Sequence, residues 1–173
     1  MPAPEINVNK ADINSARTGQ PLDLMGLLFF AYRDFVRDAD ALLAKQGFGR
    51  AHHRVLYFVN RKPGMTVAEL LDILRITKQS LARVLRQLVE SDYIEQITGP
   101  TDRRQRLLYP TAKGVNLIGT LTDLQAARVS KALDALPPDG HKLVARFLEQ
   151  MVQPEDRKTL DDLHLTDVLK DYL

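Results

Sequence analysis

The 173-residue sequence predicts a mainly α-helical fold with one small β-hairpin. Three observations carry that expectation. Apolar residues recur at three- and four-residue spacing along most of the chain from residue 21 onward; the period changes only between Tyr93 and Tyr109; and Gly, Pro and Thr stand at the joints between the periodic segments.

Residues 1–20 are polar, carry Pro, Asn and Gly, and read as a flexible N-terminal arm. From Pro21, the positions Met25, Leu28, Phe29, Tyr32, Phe35, Val36, Ala39, Leu42 and Leu43 mark one face of a long helix, which Gln46-Gly47-Phe48-Gly49 ends. A second helix is expected over Arg50 to Asn60, with Val55, Leu56, Phe58 and Val59 apolar, followed by a turn at Arg61-Lys62-Pro63-Gly64. Thr66-Val67-Ala68-Glu69 has the form of a capping box, in which the Thr hydroxyl and the Glu carboxylate satisfy backbone N–H groups reciprocally. It opens a third helix with Leu70, Leu71 and Leu74 inside. After the short break Leu74-Arg75-Ile76, Thr77 is a good N-cap for a fourth helix reaching Glu90. Two short helices joined by so short a turn make a helix-turn-helix.

Tyr93 to Thr98 and Arg104 to Tyr109 are β-prone, and Gly99-Pro100-Thr101-Asp102 between them is turn material, so a hairpin with a charged tip is expected. Pro110 is expected to stop the second strand and Thr111 to cap a long helix marked by Val115, Leu117, Ile118, Leu121, Leu124, Val129, Ala132, Leu133 and Leu136. Pro137-Pro138 breaks it, a further helix spans Asp139 to Val152, and Leu160, Leu163, Val168 and Leu169 suggest one or two short helical turns. Long apolar-striped helices at both ends suit a two-chain interface better than a monomer of this size.

Charge is unevenly placed. Residues 50–114 hold 12 Lys/Arg against 6 Asp/Glu, whereas residues 1–49 carry a net −1 and residues 115–173 a net −3. A basic centre between acidic flanks suggests a polyanion partner, and a solvated face with chance clustering is the plain alternative. The absence of cysteine removes disulfides, thiolate metal sites and thiol redox sensing. The opening residues Met1 to Asn7 lack a basic start and an apolar run, and the most apolar stretch, Leu22 to Tyr32, contains Asp23 and falls short of the roughly 20 residues of a membrane span. A cytoplasmic protein with no membrane partner is expected.

The fourth helix is the informative element. Leu81, Val84, Leu85 and Leu88 share one side, while Gln79, Arg83 and Arg86 share the other, and Lys78, Gln79 and Ser80 stand in the first turn. An apolar back with long hydrogen-bonding side chains in front is what a DNA-recognition helix needs, since Gln can address adenine and Arg guanine. Standing alone, an ordinary surface helix is the favoured explanation, by about two to one, since Lys, Gln and Arg are common helix formers. The hairpin adds Asp102-Arg103-Arg104-Gln105-Arg106, with three Arg among four residues at a turn. A wing reaching a DNA minor groove uses such a density of guanidinium groups, and Asp102 can pair with a nearby Arg to fix its direction.

On these residues the stretch from Thr66 to Gly114 resembles the winged helix-turn-helix domain of the multiple-antibiotic-resistance regulator (MarR) family. Thr77-Lys78-Gln79-Ser80-Leu81 opens the recognition helix, Leu88 to Ile94 enters the hairpin, Asp102-Arg103-Arg104 forms the wing, and Thr111-Ala112-Lys113-Gly114 follows it. Pro110 stands where the family usually has Leu. The resemblance covers about residues 22–152, with a tail after Val152 longer than is usual. It implies long N- and C-terminal dimerisation helices around the domain: 21–49 and 115–173, the latter including the tail, with 50–114 as the DNA-binding region. It assigns the family's Asp-x-Arg to Asp102 and Arg104, with Arg104 in the minor groove. DNA-binding residues are then expected at Thr77, Lys78, Gln79, Ser80, Arg83, Arg86, Asp102, Arg103, Arg104 and Arg106. Members commonly bind palindromic DNA as homodimers, and many release it on binding a small lipophilic or phenolic ligand. The implied partners are double-stranded DNA, a second copy of the chain and such an effector. Phe30, Arg33, His53, Arg54 and Tyr57 are candidate effector-lining residues; a core or hinge role for each is at least as good a reading.

No metal or other cofactor is expected. His52 and His53 are adjacent and point to different helix faces, so a packed or capping role suits them better than ligation. No His-Glu-x-x-His, Gly-x-Ser-x-Gly or phosphate-cradling Gly loop occurs, so no enzymatic activity is expected. The remaining alternative is a winged-helix module that docks another protein; it calls for apolar residues on the front of the fourth helix, where Gln79, Arg83 and Arg86 stand instead.

Overall fold

The computed structural model describes residues 21–167. The expected arm at residues 1–20 and the tail residues Val168 and Leu169 lie outside them. The chain divides after Phe35 into two units. In the first, helix α1 (Leu22–Ala44) begins, with Asp23 in the first turn where the helix dipole favours an anion. Leu24, Met25, Leu27, Leu28, Phe29, Phe30 and Tyr32 are all exposed, Phe29 to 73%. The apolar face expected of this helix is therefore covered only from Val36 onward, where Val36, Ala39 and Leu43 are buried.

The second unit carries the rest of α1 and the helix-turn-helix. Gly47, at φ 73°, ends α1: its N–H reaches the carbonyl of Ala44 (3.1 Å) and the Phe48 N–H that of Leu43 (3.0 Å), a double closure that glycine makes without strain. Helix α2 (Arg50–Arg61) buries His52, His53, Val55, Leu56 and Val59. Its N-cap, Gly49, has no side chain to cap with, and His52 supplies one: Nδ1 accepts the Gly49 N–H at 3.1 Å. A turn through Gly64 leads to a two-residue strand, β1 (Met65–Thr66), which the hydrophobic pattern did not signal.

Thr66 then closes the expected capping box. Its hydroxyl accepts the Glu69 N–H (3.1 Å) and the Glu69 carboxylate accepts the Thr66 N–H (2.7 Å), opening α3 (Val67–Leu74). Arg75 ends α3 in the left-handed region at φ 50°, and Thr77 caps α4 (Lys78–Glu90) by accepting the Ser80 N–H at 3.2 Å. Strands β2 (Ile94–Thr98) and β3 (Arg106–Pro110) follow, in a three-stranded antiparallel sheet of order β1-β3-β2.

Two expectations about the hairpin need adjusting. The second strand starts at Arg106, not Arg104, because Asp102 to Gln105 is held in a turn: the Gln105 N–H donates to the Asp102 carbonyl (3.0 Å) and the Gly99 N–H to that of Gln105 (3.1 Å). Pro110 belongs to the strand, opposite Ile94. The flanking bond runs from Thr111 N–H to the Tyr93 carbonyl (3.1 Å), so Ile94 and Pro110 form a non-hydrogen-bonded pair, and the N–H that proline lacks is not needed there.

Thr111 caps α5 (Ala112–Leu133), accepting the Gly114 N–H at 3.1 Å; α6 (Gly140–Met151) follows Pro137-Pro138. A 3-10 turn (Pro154–Asp156) and α7 (Arg157–Asp162) make the tail. The core of this unit joins Leu43, Leu56, Val59, Met65, Leu70, Leu81, Leu88, Ile94, Leu108 and Leu121 from α1 through α5, so α4 and the hairpin are anchored to one apolar body.

Candidate nucleic-acid interface

Helix α4 separates its side chains as its sequence requires. Leu81, Val84, Leu85 and Leu88 enter the core, while Lys78, Gln79, Ser80, Arg83 and Arg86 are exposed together with the cap Thr77. No acidic residue occupies its first turn, so the positive end of the helix dipole adds to Lys78. Lys78 and Arg86 also line a groove of about 460 Å³ between α4, the start of α3 and Gln96 of β2.

The back of α4 is registered by a polar contact as well as by packing. With Nδ1 of His52 accepting the Gly49 N–H, its proton sits on Nε2, which donates to Gln87 Oε1 at 2.8 Å. The ring also stacks on Phe48 at 4.7 Å. His52 is thus both packed and capping. His53 is buried beside it in α2; burial pulls its pKa below the usual histidine value, and Asp40 opposes this only in part.

At the wing, Arg103 and Arg104 are exposed at the tip, and Arg106 donates across the hairpin to Thr98 Oγ1. Asp102 acts on Arg104 differently from the expected side-chain pairing. Its Oδ1 accepts the main-chain N–H of Arg104 at 2.9 Å, so it fixes the peptide from which the guanidinium projects.

Among the residues suggested for an effector, Phe30 and Arg33 stack on each other, the guanidinium 4.6 Å from the ring centroid, and Arg33 pairs with Asp34 at 3.0 Å. In the second unit, Arg54 donates to the Leu74 carbonyl at the end of α3 (3.2 Å), and Tyr57 meets Phe58 edge-on. Among the described residues no group of three His, Asp or Glu side chains could hold a metal ion. No helix among them is long and apolar enough to cross a membrane.

Three cationic residues outside the sequence-based set shape this region. Lys113 lies over the Tyr93 ring (4.3 Å) and donates to the Ser91 carbonyl (2.8 Å), tying α5 to the end of α4. Arg61 and Arg75 bind the C-terminal tail. Their partners lie 81 or more residues away, beyond the reach of any local pattern.

A helix-turn-helix with an arginine-tipped wing defines a class of nucleic-acid-binding fold, and comparison with known proteins narrows it. The MarR family profile matches residues 46–105. The HTH-type transcriptional regulator PetP of Rhodobacter capsulatus is 42% identical over 131 residues, covering 76% of this chain and 79% of PetP. The crystal structure of MarR superposes with a TM-score of 0.63 at 23% identity, over 84% of this chain and 97% of that one. FabT of Streptococcus pneumoniae, solved in complex with DNA, gives 0.68 at 18% identity, over 83% and 99%. The chain belongs to the MarR family of HTH-type transcriptional regulators.

Proposed function

We propose that the protein binds a pseudo-palindromic operator in double-stranded DNA as a homodimer, with α4 in the major groove and the β2–β3 wing in the minor groove. The observation that carries this is the two-sided character of α4: four side chains locked in the core behind, and Lys78, Gln79, Ser80, Arg83 and Arg86 exposed in front. Gln79 and Arg83 are the base-reading residues, Thr77, Lys78 and Arg86 serve the phosphates, and Arg103, Arg104 and Arg106 belong to the wing. The DNA complex of FabT and the regulator name of PetP support the reading.

The second copy of the chain is called for by the uncovered apolar side chains of α1 and by Leu143, Phe147, Leu148 and Met151 of α6, each exposed to 48% or more. Pairing two chains also gives the two recognition helices the one-turn spacing that a palindrome requires. A small lipophilic or phenolic effector that releases the DNA completes the proposal.

Selection of duplexes from a random pool, followed by titration with the winning sequence, tests the reading. An inverted repeat bound by twice the chain mass in light scattering is the expected outcome. A monomer at micromolar concentration, or a pool that never enriches, overturns it. Phenolic compounds added to the bound complex then test for release.

A further inference from the structure

The tail beyond α6 turns back onto the helix-turn-helix. Arg75, the left-handed end of α3, pairs with Asp156 of the 3-10 turn at 2.8 Å. At the last residue of α2, Arg61 donates to two carbonyls that follow α7, those of Leu163 (2.8 Å) and His164 (2.9 Å). At the Arg61 anchor Leu163 is itself buried, 2% exposed, and a small cavity of about 100 Å³ marks the seam where Thr159 and Leu163 face Glu69, Asp72 and Ile73. The tail therefore runs beside α3 and is held at two points, the end of α2 through Arg61 and the end of α3 through Arg75.

The grip at Arg75 bears directly on α4. Only Ile76 and Thr77 separate Arg75 from the first residue of the proposed recognition helix. A non-glycine residue at φ 50° is costly, and it persists where its surroundings over-determine it. Two contacts do so here: Asp156 holds the Arg75 side chain, and Arg54 holds the preceding carbonyl.

We infer that residues 154–167 are a strap that positions the recognition helix, and that Asp156 is a positioning residue acting through Arg75. This rests on the DNA-binding reading above. The strap makes the tail part of the DNA-reading unit, and it sets the angle at which α4 leaves the turn.

The full-length Asp156→Ala variant separates this from simple electrostatics. Removing an anion close to a polyanion-binding face should, by charge alone, tighten DNA binding. A positioning role predicts the reverse: about threefold to tenfold weaker binding to the duplex selected by the wild-type chain, at the lower end of what one lost contact does. Binding to mixed-sequence duplex should not weaken. In DNA-free protein, amide exchange should quicken across Arg75 to Leu81 while far-ultraviolet dichroism stays unchanged. The exchanged pair Arg75→Asp with Asp156→Arg should restore both readouts, and Arg61→Ala, at the other anchor, should repeat the loss. Unchanged exchange, or unchanged or tighter specific binding, overturns the strap. If the wild-type chain selects no duplex, the DNA-binding reading has failed, and the exchange rates alone still decide whether Asp156 holds the turn.

Discussion

A methyl group placed on Gly114 would lie 2.1 Å from the carbonyl oxygen of Tyr93. The first turn of α5 passes so close to the entrance of β2 that only a bare Cα fits, and the same junction is tied by Thr111 Oγ1 to the Asp92 carbonyl (2.7 Å). Gly114 is required for this approach, as its ordinary helical setting gives no other reason for glycine.

Gly114→Ala should accordingly destabilise the protein by about 3 kcal/mol, because backbone meets backbone and no flexible side chain can give way. Gly119, whose surroundings are open, is the control: Gly119→Ala should be neutral or slightly stabilising in a helix. Urea midpoints of the two variants check this, and equal midpoints would show that the junction yields.

Arg83→Ala should weaken binding to the selected operator by about 1–3 kcal/mol and relax preference at one or two base pairs. Arg83 stands on the exposed side of α4, one turn beyond Gln79. Unchanged affinity and base preference would remove this face from the major groove.

The wing separates charge from geometry. Arg104→Ala should weaken specific and non-specific binding alike and reduce the slope of log K against log salt by up to about 1. Asp102 holds the Arg104 peptide through Oδ1, a bond that an asparagine oxygen can also accept. Asp102→Asn should therefore bind DNA at least as well as wild type, whereas Asp102→Ala should bind less well. Titrations at two salt concentrations decide, and tighter binding by Asp102→Ala would leave Asp102 a turn residue with no hold on the wing.

His53 makes stability depend on pH. Its folded-state pKa is lowered by burial, so below the unfolded value of about 6.5 the unfolded chain binds more protons than the folded one. The contribution of the neutral ring is complete above pH 6.5 and is lost as the pH falls below it. Urea unfolding at pH 7.5 and 5.5 should show wild type losing more stability on acidification than His53→Gln. The other three histidines are common to both proteins and cancel in the difference. Equal losses would mean that His53 is not held neutral by its surroundings.

The parts of this fold that could be read from sequence are those decided within a few residues. The Thr66–Glu69 box, the Thr77 and Thr111 caps and the Gly47 stop each close a bond within five positions, so residue type and spacing announce them. Strand β1 could not be read, because two residues make no pattern and its partner, Leu108, is 43 positions away from Met65. The two-sidedness of α4 was legible from helical period alone. The atom on which Asp102 acts was not, since spacing brings it near Arg104 without choosing between guanidinium and main chain. The grip of Arg61 and Arg75 on the tail depends on the completed fold.

The ring of His52 has a mechanical consequence. Apolar packing is non-directional: Leu81 and Leu88, both fully buried, hold α4 against the core without selecting any one partner atom. A side chain at the rim of a helix sits about 5–6 Å from the helix axis, so a 10° roll carries its tip by roughly 1 Å. That is enough to spoil a two-point hydrogen bond to a base edge. The 2.8 Å bond from His52 to Gln87 adds a directional contact to that packing, and it sits one turn beyond Arg83. It works as a key in a shaft: through the same imidazole that starts it, α2 adds a directional tie to the packing that sets the bearing of Gln79 and Arg83.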